Sequence, residues 1–440
     1  MKFKSCELMQ RSLWALWPAL ALLSAPVRAD LKIDITRGVT DPVPVAVVPF
    51  ARAVPADGGL DIAAVVQSDL ASSGRFRAID RAAMPSRPTR SADVDAAAWR
   101  AQRTDYVVVG RVAAESGGNV QLQFELVNVL TGQVLLNDTV SSPQAALRNG
   151  AHRVADRVFE KITGIRGAFA TRIAYISVDG SPPNQRYQLL VADADGENWR
   201  PAMQSTQPIM SPAWSSDGEW LAYVSFENRV AAVFVQRVRT GERRQVSARA
   251  GVNGAPAFSP DGRRLALTLS GSSGNLDIYV LDLGTQNLVR ITDDPSIDTE
   301  PAWSPDGQTL YFTSDRGGAP QIYAAAPQAG ARARRITFGA TYVARPRVSP
   351  DGKMLAVVTQ DGSGFHVGVV DLASNQITAL SRGSLDESPS FAPNGAVLIY
   401  AGRDRGQGVL ATVSTDGTIS TRLKSDQGEV REPVWGPFAR

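Results

Sequence analysis

Side chains that could carry out acid–base or metal chemistry are few in this chain and lie far apart. Only two histidines occur, His152 and His366. Neither has a second ligand at the spacing of a zinc site, so we interpret both as structural residues. The sequence also lacks a G-x-S-x-G elbow, a Walker loop and a G-x-G-x-x-G segment, which mark common hydrolase and nucleotide-binding sites.

Charged side chains gather just before a recurring proline in the second half of the chain. The set consists of Asp298, Glu300, Asp386, Glu387, Glu429, Glu432, Arg345 and Arg431. They could form a cation site or a rim that docks a protein, or they could be solvated loop surface. A metal-dependent lactonase or hydrolase needs several ligands that converge on one point. Because these residues differ from copy to copy and include arginines, we favour a binding surface and expect no metal and no cofactor.

A repeat reveals the elements that would position these side chains. Turns of the Asp-Gly or Asn-Gly type recur about every 44 residues, beginning at Asp217, Asp261, Asp306, Asp351 and Asn394. A proline stands before each turn and once more near the C-terminus: Pro212, Pro256, Pro301, Pro346, Pro389 and Pro433. A large apolar residue follows each proline: Trp214, Phe258, Trp303, Val348, Phe391 and Trp435. The register of these three features predicts six copies of one unit.

Each unit contains four short alternating segments bounded by Gly, Asp, Asn or Pro, which predicts four strands. Four strands in about 44 residues are typical of a β-propeller blade, with a repeated sandwich or solenoid as the alternative. The proline suits the innermost strand, since a central strand would miss its amide donor. We interpret the Asp of each turn as structural, because such turns require Asp and Gly.

The two ends of the repeat region predict how the ring closes. "RIAYISV" at 172–178 begins with the second strand of a unit, whereas "EPVWGPF" at 432–438 is a first strand without the rest. We therefore expect the C-terminal strand to complete the first blade, with Trp435 between neighbouring blades as Trp214 and Trp303 are. The N-terminal domain should join the face of the turns, and the loops into the inner strands should open on the other face, here called the mouth.

Residues 30–165 lack the period and predict a small α/β domain. A strand at 43–50, a helix at 61–74, three further strands and an amphipathic helix at 146–164 follow from the spacing of apolar residues. Ahead of them, residues 30–40 alternate Leu31, Ile33 and Ile35 with polar residues. Such an arm can dock on its own protein or add to the sheet edge of a partner.

Residues 1–29 have the pattern of a signal peptide: basic residues, a short apolar run and small residues at a cleavage point. The only cysteine, Cys6, lies in this leader. Without the leader, basic and acidic side chains are equal in number, so the charge gives no reason to expect nucleic acid as a partner. We expect a soluble exported protein that begins at Asp30 and resides in the periplasm.

Several segments carry a specific resemblance. They are "FEKITGIRGAF", "RIAYIS", "NGAPAFSPDG", "TEPAWSPDG", "LDESPSFAPNG" and "EPVWGPF". Together they resemble the TolB family across the mature chain. The resemblance implies a periplasmic scaffold with an α/β domain and a six-bladed propeller, not an enzyme. It also implies binding of the lipoprotein Pal at the mouth and of TolA through the mature N-terminus, in support of outer-membrane integrity and cell division, and it leaves other outer-membrane proteins open as partners.

The resemblance also assigns residues. The "NGAPAF" and "TEPAW" motifs put Asn253, Ala255, Thr299 and Glu300 at the mouth, and the rim acids and arginines add Arg345 and Glu387 to the expected Pal site. The apolar side chains of the arm, Leu31, Ile33 and Ile35, are the expected TolA contacts. This chain departs from the family at Val252, where members can carry a histidine. A contact made there by an imidazole is therefore not expected.

Overall fold

The structure is a computed structural model that describes residues 31–52, 59–271, 274–425 and 428–439. The predicted signal peptide and Asp30 lie outside these ranges. Among the described residues, no helix combines the length and the apolar character that crossing a bilayer requires.

The first half of the chain forms an α/β domain preceded by the arm. Its elements are β1 (Leu31–Arg37), β2 (Val43–Val47), β3 (Ala51–Arg52), α1 (Ile62–Ser72), β4 (Phe76–Ala78), α2 (Ala96–Ala101), β5 (Tyr106–Ala114), β6 (Asn119–Asn128), β7 (Val134–Pro143) and α3 (Leu147–Thr163). Strands β2 to β7 form one mixed sheet in the order β4-β2-β5-β6-β7, with β3 also beside β5. The short α2 was not predicted; it buries Trp99 against the sheet.

Both long helices pack on one face of this sheet. The side chain of Asp61 caps α1 by accepting a hydrogen bond from the amide of Ala64 at 3.0 Å. Helix α3 ends at Gly164, whose φ of 73° is the left-handed conformation that glycine adopts at low cost. The apolar faces of the two helices and of the sheet share one core.

The second half of the chain is a six-bladed propeller. Blade 1 contains β8 (Arg172–Asp179), β9 (Arg186–Asp193) and β10 (Arg200–Ser205). Blade 2 contains β11 (Ile209–Trp214), β12 (Trp220–Ser225), β13 (Ala232–Arg237) and β14 (Arg243–Ser247). Blade 3 contains β15 (Asn253–Phe258), β16 (Arg264–Ser270), β17 (Leu276–Asp282) and β18 (Leu288–Arg290).

The remaining blades follow the same plan. Blade 4 contains β19 (Asp298–Trp303), β20 (Leu310–Ser314), β21 (Gln321–Ala325) and β22 (Arg334–Arg335). Blade 5 contains β23 (Val343–Val348), β24 (Met354–Asp361), β25 (Gly364–Asp371) and β26 (Ile377–Ala379). Blade 6 contains β27 (Glu387–Phe391), β28 (Val397–Asp404), β29 (Gln407–Ser414) and β30 (Ser420–Ser425), and the last strand is β31 (Glu429–Trp435).

The predicted closure of the ring is confirmed. Strand β31 pairs antiparallel with β8 and so becomes the innermost strand of blade 1. Trp303 donates its indole N–H to the carbonyl oxygen of Ala257 in the preceding blade at 3.0 Å. Trp435 instead donates to Thr171 Oγ1 at 2.8 Å, because the segment that enters blade 1 passes beside it. The final tryptophan thus fastens the seam between the two ends of the ring.

The Asp of the repeated turn has the structural role that the pattern predicted. In blade 3, Asp261 accepts hydrogen bonds from Ser259 Oγ at 2.5 Å and from the amide of Arg263 at 3.1 Å. The N-terminal domain lies on this turn face. For example, Asn394 in the blade 6 turn donates to the carbonyl oxygen of Arg166 at 2.8 Å. The opposite face, the mouth, is left to the loops that enter the inner strands.

The arm docks on the propeller rather than on the sheet of its own domain. Strand β1 pairs antiparallel with β30 and extends blade 6 to five strands. Ile33 stands opposite Leu423 and packs against a cluster shared by blades 1 and 6. Ile35 remains 48% exposed. The arm is therefore an outer strand held by one edge and one partly covered apolar side chain.

Candidate functional site

A ring of six strained residues surrounds the central channel at the mouth. Each residue precedes the recurring proline of an inner strand and has φ between 45° and 57°: Ser211, Ala255, Glu300, Arg345, Ser388 and Glu432. Residues other than glycine adopt this left-handed conformation only at a cost of about 1 to 3 kcal/mol, and such residues cluster at functional sites. These six residues and five of the six prolines line a cavity of about 190 Å³.

A β-bulge in every inner strand produces this ring. In blade 4 the register shifts between Thr299 and Ala302, so that Glu300 and its proline face a single residue of β20. The amide of Glu300 is satisfied from the preceding blade, by Thr268 Oγ1 at 3.1 Å. The amide of Arg345 is likewise satisfied by Glu300 Oε2 at 3.1 Å. The bulges thus turn six side chains into the channel and tie each blade to the next.

Ion pairs hold the centre of the ring. Arg345 Nε lies 2.8 Å from Glu300 Oε1, and its Nη1 lies 3.8 Å from Glu387 Oε2. Nη1 also donates to Ser388 Oγ. Burial opposes the charge of Arg345, but the two carboxylates raise its pKa above the ordinary value. Arg345 therefore stays a cation and joins blades 4, 5 and 6.

Glu432 closes the ring on the other side. It is enclosed in the channel, and burial raises its pKa, although its Oε2 accepts a hydrogen bond from the amide of Ser211 at 2.5 Å. Strand β31 thus supplies both the final strand of the ring and one of its channel carboxylates.

The structure brings the predicted mouth residues together but gives them different environments. Ala255, Thr299, Glu300 and Arg345 line the cavity. Asn253 is 1% exposed: its Oδ1 accepts from Ser247 Oγ at 2.6 Å, and its Nδ2 donates to the carbonyl oxygen of Arg249 at 2.6 Å. Its side chain therefore shapes the loop into β15 and is not offered to a partner.

Two of the acids at the mouth are structural. Asp298 is buried, and its Oδ2 forms an ion pair with Nη2 of Arg316 at 2.6 Å. Asp386 is also buried and accepts a hydrogen bond from the amide of Gly383 at 2.8 Å. For these two carboxylates, the interpretation as solvated loop surface is wrong and so is a role as free ligands.

An arc of exposed apolar side chains on the mouth was not predicted. One stands in the loop before each inner strand of blades 3 to 6: Val252, Ile297, Phe338 and Leu385, with exposures of 43%, 47%, 56% and 37%. Aligning the residue four positions before each recurring proline would have found three of them: Val252, Ile297 and Leu385. Large exposed apolar side chains that gather on one face of a protein are typical of a protein-binding surface.

His152 lies in a buried charge cluster between the two domains. Its Nδ1 lies 2.7 Å from Oδ2 of Asp69 on α1. Its Nε2 faces the turn after β9, at 3.7 Å from Asp193 Oδ2 and 3.9 Å from Asp195 Oδ2. Arg148, one turn earlier on α3, donates to Asp195 as well. The cluster fastens the N-terminal domain to blade 1.

The electrostatics of this cluster favour a charged imidazole over a metal ion. Burial lowers the pKa of His152, but Asp69 and the carboxylates of the blade 1 turn raise it to about 10. Burial raises the pKa of Asp69 to about 6. In the described part of the chain, Asp69, His152 and Asp195 are close enough to share a metal ion. However, Asp195 already accepts a hydrogen bond from the guanidinium of Arg148. We therefore interpret the cluster as a network of ion pairs.

His366 also has a structural role. Its Nε2 lies 2.9 Å from both Ser363 Oγ and Asp361 Oδ1 in the turn between β24 and β25. Ser363 Oγ itself donates to Asp361 at 2.6 Å. In a catalytic triad, the serine and the acid contact different ring nitrogens of the histidine. Here both contact Nε2, so the three residues do not form such a triad.

The comparisons with known proteins agree along the chain. Residues 159–439 match the model of the TolB beta propeller domain, and residues 31–135 match that of the TolB amino-terminal domain. The chain is 46% identical to the Tol-Pal system protein TolB of Xanthomonas oryzae pv. oryzae (strain PXO99A), over 96% of this chain and 97% of that protein. The identity is also 46% to that of Xanthomonas euvesicatoria pv. vesicatoria (strain 85-10), over 97% and 98%.

A solved structure supports the same relation. The crystal structure of TolB from Acinetobacter baumannii matches with a TM-score of 0.85 and 39% identity, covering 93% of this chain and 100% of that one. Both domain models, the full-length relatives and this structure agree with the fold described above. The chain belongs to the TolB family of Tol-Pal system proteins.

Proposed function

We propose that the chain is a non-enzymatic periplasmic scaffold, which binds Pal at the propeller mouth and TolA through the N-terminal arm. Its membership in the TolB family supports the Tol-Pal assignment. By linking these partners, the chain would support outer-membrane integrity and envelope constriction during division. The observation that supports the Pal site is the apolar arc on the same face as the ring of six strained residues, three of which are charged.

The mouth suits a folded partner. The arc supplies apolar area, and the paired charges of Glu300, Arg345 and Glu387 supply polar contacts inside it. Ala255 and Thr299 line the same cavity, while Asn253 shapes the loop beside them. A standard interface buries about 800 Å² on each partner, which a rim of several loops can supply.

The arm suits a partner that takes a strand. In the docked state β30 occupies one of the two edges of β1, and Ile33 packs against the cluster shared by blades 1 and 6. A partner that binds the arm through Leu31, Ile33 and Ile35 must compete with the propeller for that edge and for Ile33. TolA binding would therefore be linked to undocking of the arm, and Pal can influence it only through a coupling free energy, typically about 1 to 3 kcal/mol.

The test of the Pal site is a binding titration with the soluble domain of Pal and a Phe338→Asp variant. Phe338 is 56% exposed, so its replacement should leave the melting temperature unchanged while weakening Pal binding at least tenfold. Leu130→Asp is the matched control, because Leu130 is 76% exposed on the N-terminal domain. If the two variants weaken Pal binding equally, or if neither weakens it, Pal does not bind at the mouth.

A further inference from the structure

One guanidinium in the central channel has no ionic partner among the described residues. Arg347 lies on β23, two residues beyond the ring residue Arg345. Its Nη1 donates to the carbonyl oxygen of Pro346 at 2.9 Å. Its side chain lines the cavity of about 190 Å³ at the mouth. A largely enclosed cation with one backbone acceptor retains several unused donors, since a guanidinium carries five N–H groups.

The six-fold repeat shows that Arg347 is unusual. It pairs with Ala356 on the next strand, and the same register position in the other blades carries small or medium side chains: Ala213, Ala257, Ala302, Ser390 and Val434. None of these five carries a charge. Blade 5 is therefore the blade that carries a long, charged side chain at a position where the other five carry small or medium uncharged ones.

The nearby carboxylates are already engaged. Oε1 of Glu300 forms an ion pair with Arg345. Its Oε2 accepts hydrogen bonds from Thr313 Oγ1 and from the amide of Arg345. Glu432 accepts from the amide of Ser211. Burial lowers the pKa of Arg347, while Glu300 and Glu432 act in the opposite direction. An arriving carboxylate would thus meet a guanidinium whose neighbours leave its donors free.

We propose that Arg347 binds a carboxylate, supplied by an aspartate or glutamate side chain of the protein that docks on the mouth. The inference rests on the proposed docking function and adds the chemistry of the contact. A guanidinium binds a carboxylate through two parallel hydrogen bonds, and such charge-assisted bonds are about twice as strong as neutral ones. A backbone carbonyl could use one donor but would leave the charge uncompensated.

The cavity has room for this contact. Its volume of about 190 Å³ is well above the roughly 10 to 15 Å³ that a single water requires. An acidic side chain that enters this cavity from the mouth would meet Arg347 in its lining. The apolar arc would then anchor the body of the partner, while Arg347 would select its acidic residue.

The first test measures binding of the soluble domain of Pal to the full mature chain and to Arg347→Ala. We expect the variant to weaken binding at least tenfold, to flatten the dependence on NaCl concentration and to keep the wild-type melting temperature. Arg263→Ala is the matched control, because it removes the same charge from the opposite face of the propeller, where the amide of Arg263 donates to Asp261 in the turn of blade 3. Its affinity should stay within threefold of wild type.

The second test identifies the source of the carboxylate. Each exposed acidic residue of Pal is changed to its amide and combined with Arg347→Ala in a double-mutant cycle. One acid should couple to Arg347 by at least tenfold, which is about 1.4 kcal/mol. Absence of any such coupling would overturn the inference. A second result would also overturn it: inorganic phosphate raises the melting temperature of wild type but not of Arg347→Ala, while both proteins bind Pal equally well. Arg347 would then bind a free anion and not a carboxylate of Pal.

The outcomes separate the two proposals. If wild-type protein fails to bind Pal, the docking function falls and this inference falls with it. If wild type binds and Arg347→Ala binds equally well, the docking function stands and the inference alone is overturned. Arg347→Lys should give an intermediate affinity, because an ammonium keeps the charge but loses the two-point geometry.

Discussion

The first and the last strand, β1 and β31, each extend a blade of the propeller, but one lies at an outer edge and the other at an inner edge. Strand β31 is the innermost strand of blade 1, and β1 is the outermost strand of blade 6. Val430 and Val434 of β31 are 1% and 9% exposed, whereas Ile35 of β1 is 48% exposed. An inner strand is thus part of the core, and an outer strand is an addition that can be removed.

This difference separates stability from function. The inner strand also places Glu432 in the mouth and Trp435 at the seam, so its loss would open the ring and remove part of the site. The outer strand contacts the propeller through β30 and a small apolar cluster. Segments with few buried contacts open at low free energy, as the proposed binding of TolA by the arm would require.

The largest expected effect is that of removing β31. A chain truncated after Gly428 should fail to give a cooperative melting transition, because blade 1 loses its inner strand and the edge of β8 is exposed. Circular dichroism and calorimetry would detect the loss. A truncated protein that melts like the full-length chain would make the two ends equivalent and contradict the comparison.

The next effect is that of His152, which fastens the N-terminal domain to the blade that β31 completes. His152→Asn should lower the free energy of unfolding by about 3 to 5 kcal/mol, since it leaves the buried carboxylate of Asp69 without its cation. The folded pKa of about 10 lies above the ordinary value of 6.5, so this stabilisation is complete below pH 6.5 and is lost as pH rises through 10.

Thermal melts from pH 6 to pH 10 would check this prediction. The difference between wild type and His152→Asn should shrink over the upper part of the range. Arg153→Ala, a change at the next residue of α3, should leave the pH dependence unaltered. A constant difference between wild type and His152→Asn across the range would show that the imidazole acts by packing and not by charge.

A smaller effect is expected at the seam. Trp435→Ala should lower the free energy of unfolding by about 3 kcal/mol, the low end for a large aromatic, because Trp435 is only partly buried. Trp435→Phe keeps most of the ring but loses the hydrogen bond to Thr171, and should cost about 1 kcal/mol. Denaturant melts of both variants would separate packing from hydrogen bonding.

The smallest effect on stability is expected for the arm. Deleting residues 30–40 should lower the free energy of unfolding by no more than about 2 kcal/mol, the value for one apolar side chain such as Ile33. The same deletion should abolish TolA binding, measured by titration with the soluble TolA domain, and should change Pal affinity by no more than the coupling energy. A deleted chain that still binds TolA would make the arm purely structural.

Much of the fold could be predicted because repetition makes weak local signals strong. One "SPDG" turn is common, but a turn of this type in register five times, with the proline and the apolar residue in register six times, is specific to a ring of blades. Closure followed from the incomplete unit at each end. In the N-terminal domain, α1 and α3 were visible from their apolar spacing, whereas the short α2 was not, because six residues carry too little periodicity.

The details of the site were harder to predict for a physical reason. A sequence position reports the residue type but not its conformation, so the left-handed φ at Glu300 and the bulge behind it were invisible. Asn253 and Asp298 read as mouth residues, yet burial commits their side chains to internal hydrogen bonds. The partners of Asn253, at Ser247 and Arg249, are near in sequence, but only the conformation of the loop shows that these groups meet.

The amino-acid sequence by itself determined the six blades, the closing strand and the face on which the mouth opens, since these follow from period and chain order. Only the tertiary structure decided that the arm docks on blade 6, that His152 lies among carboxylates of both domains, and that Arg347 has no ion pair with another described residue. Each of these depends on the distance between groups far apart in the chain, and pair energies fall or rise with that distance and with the local exclusion of water.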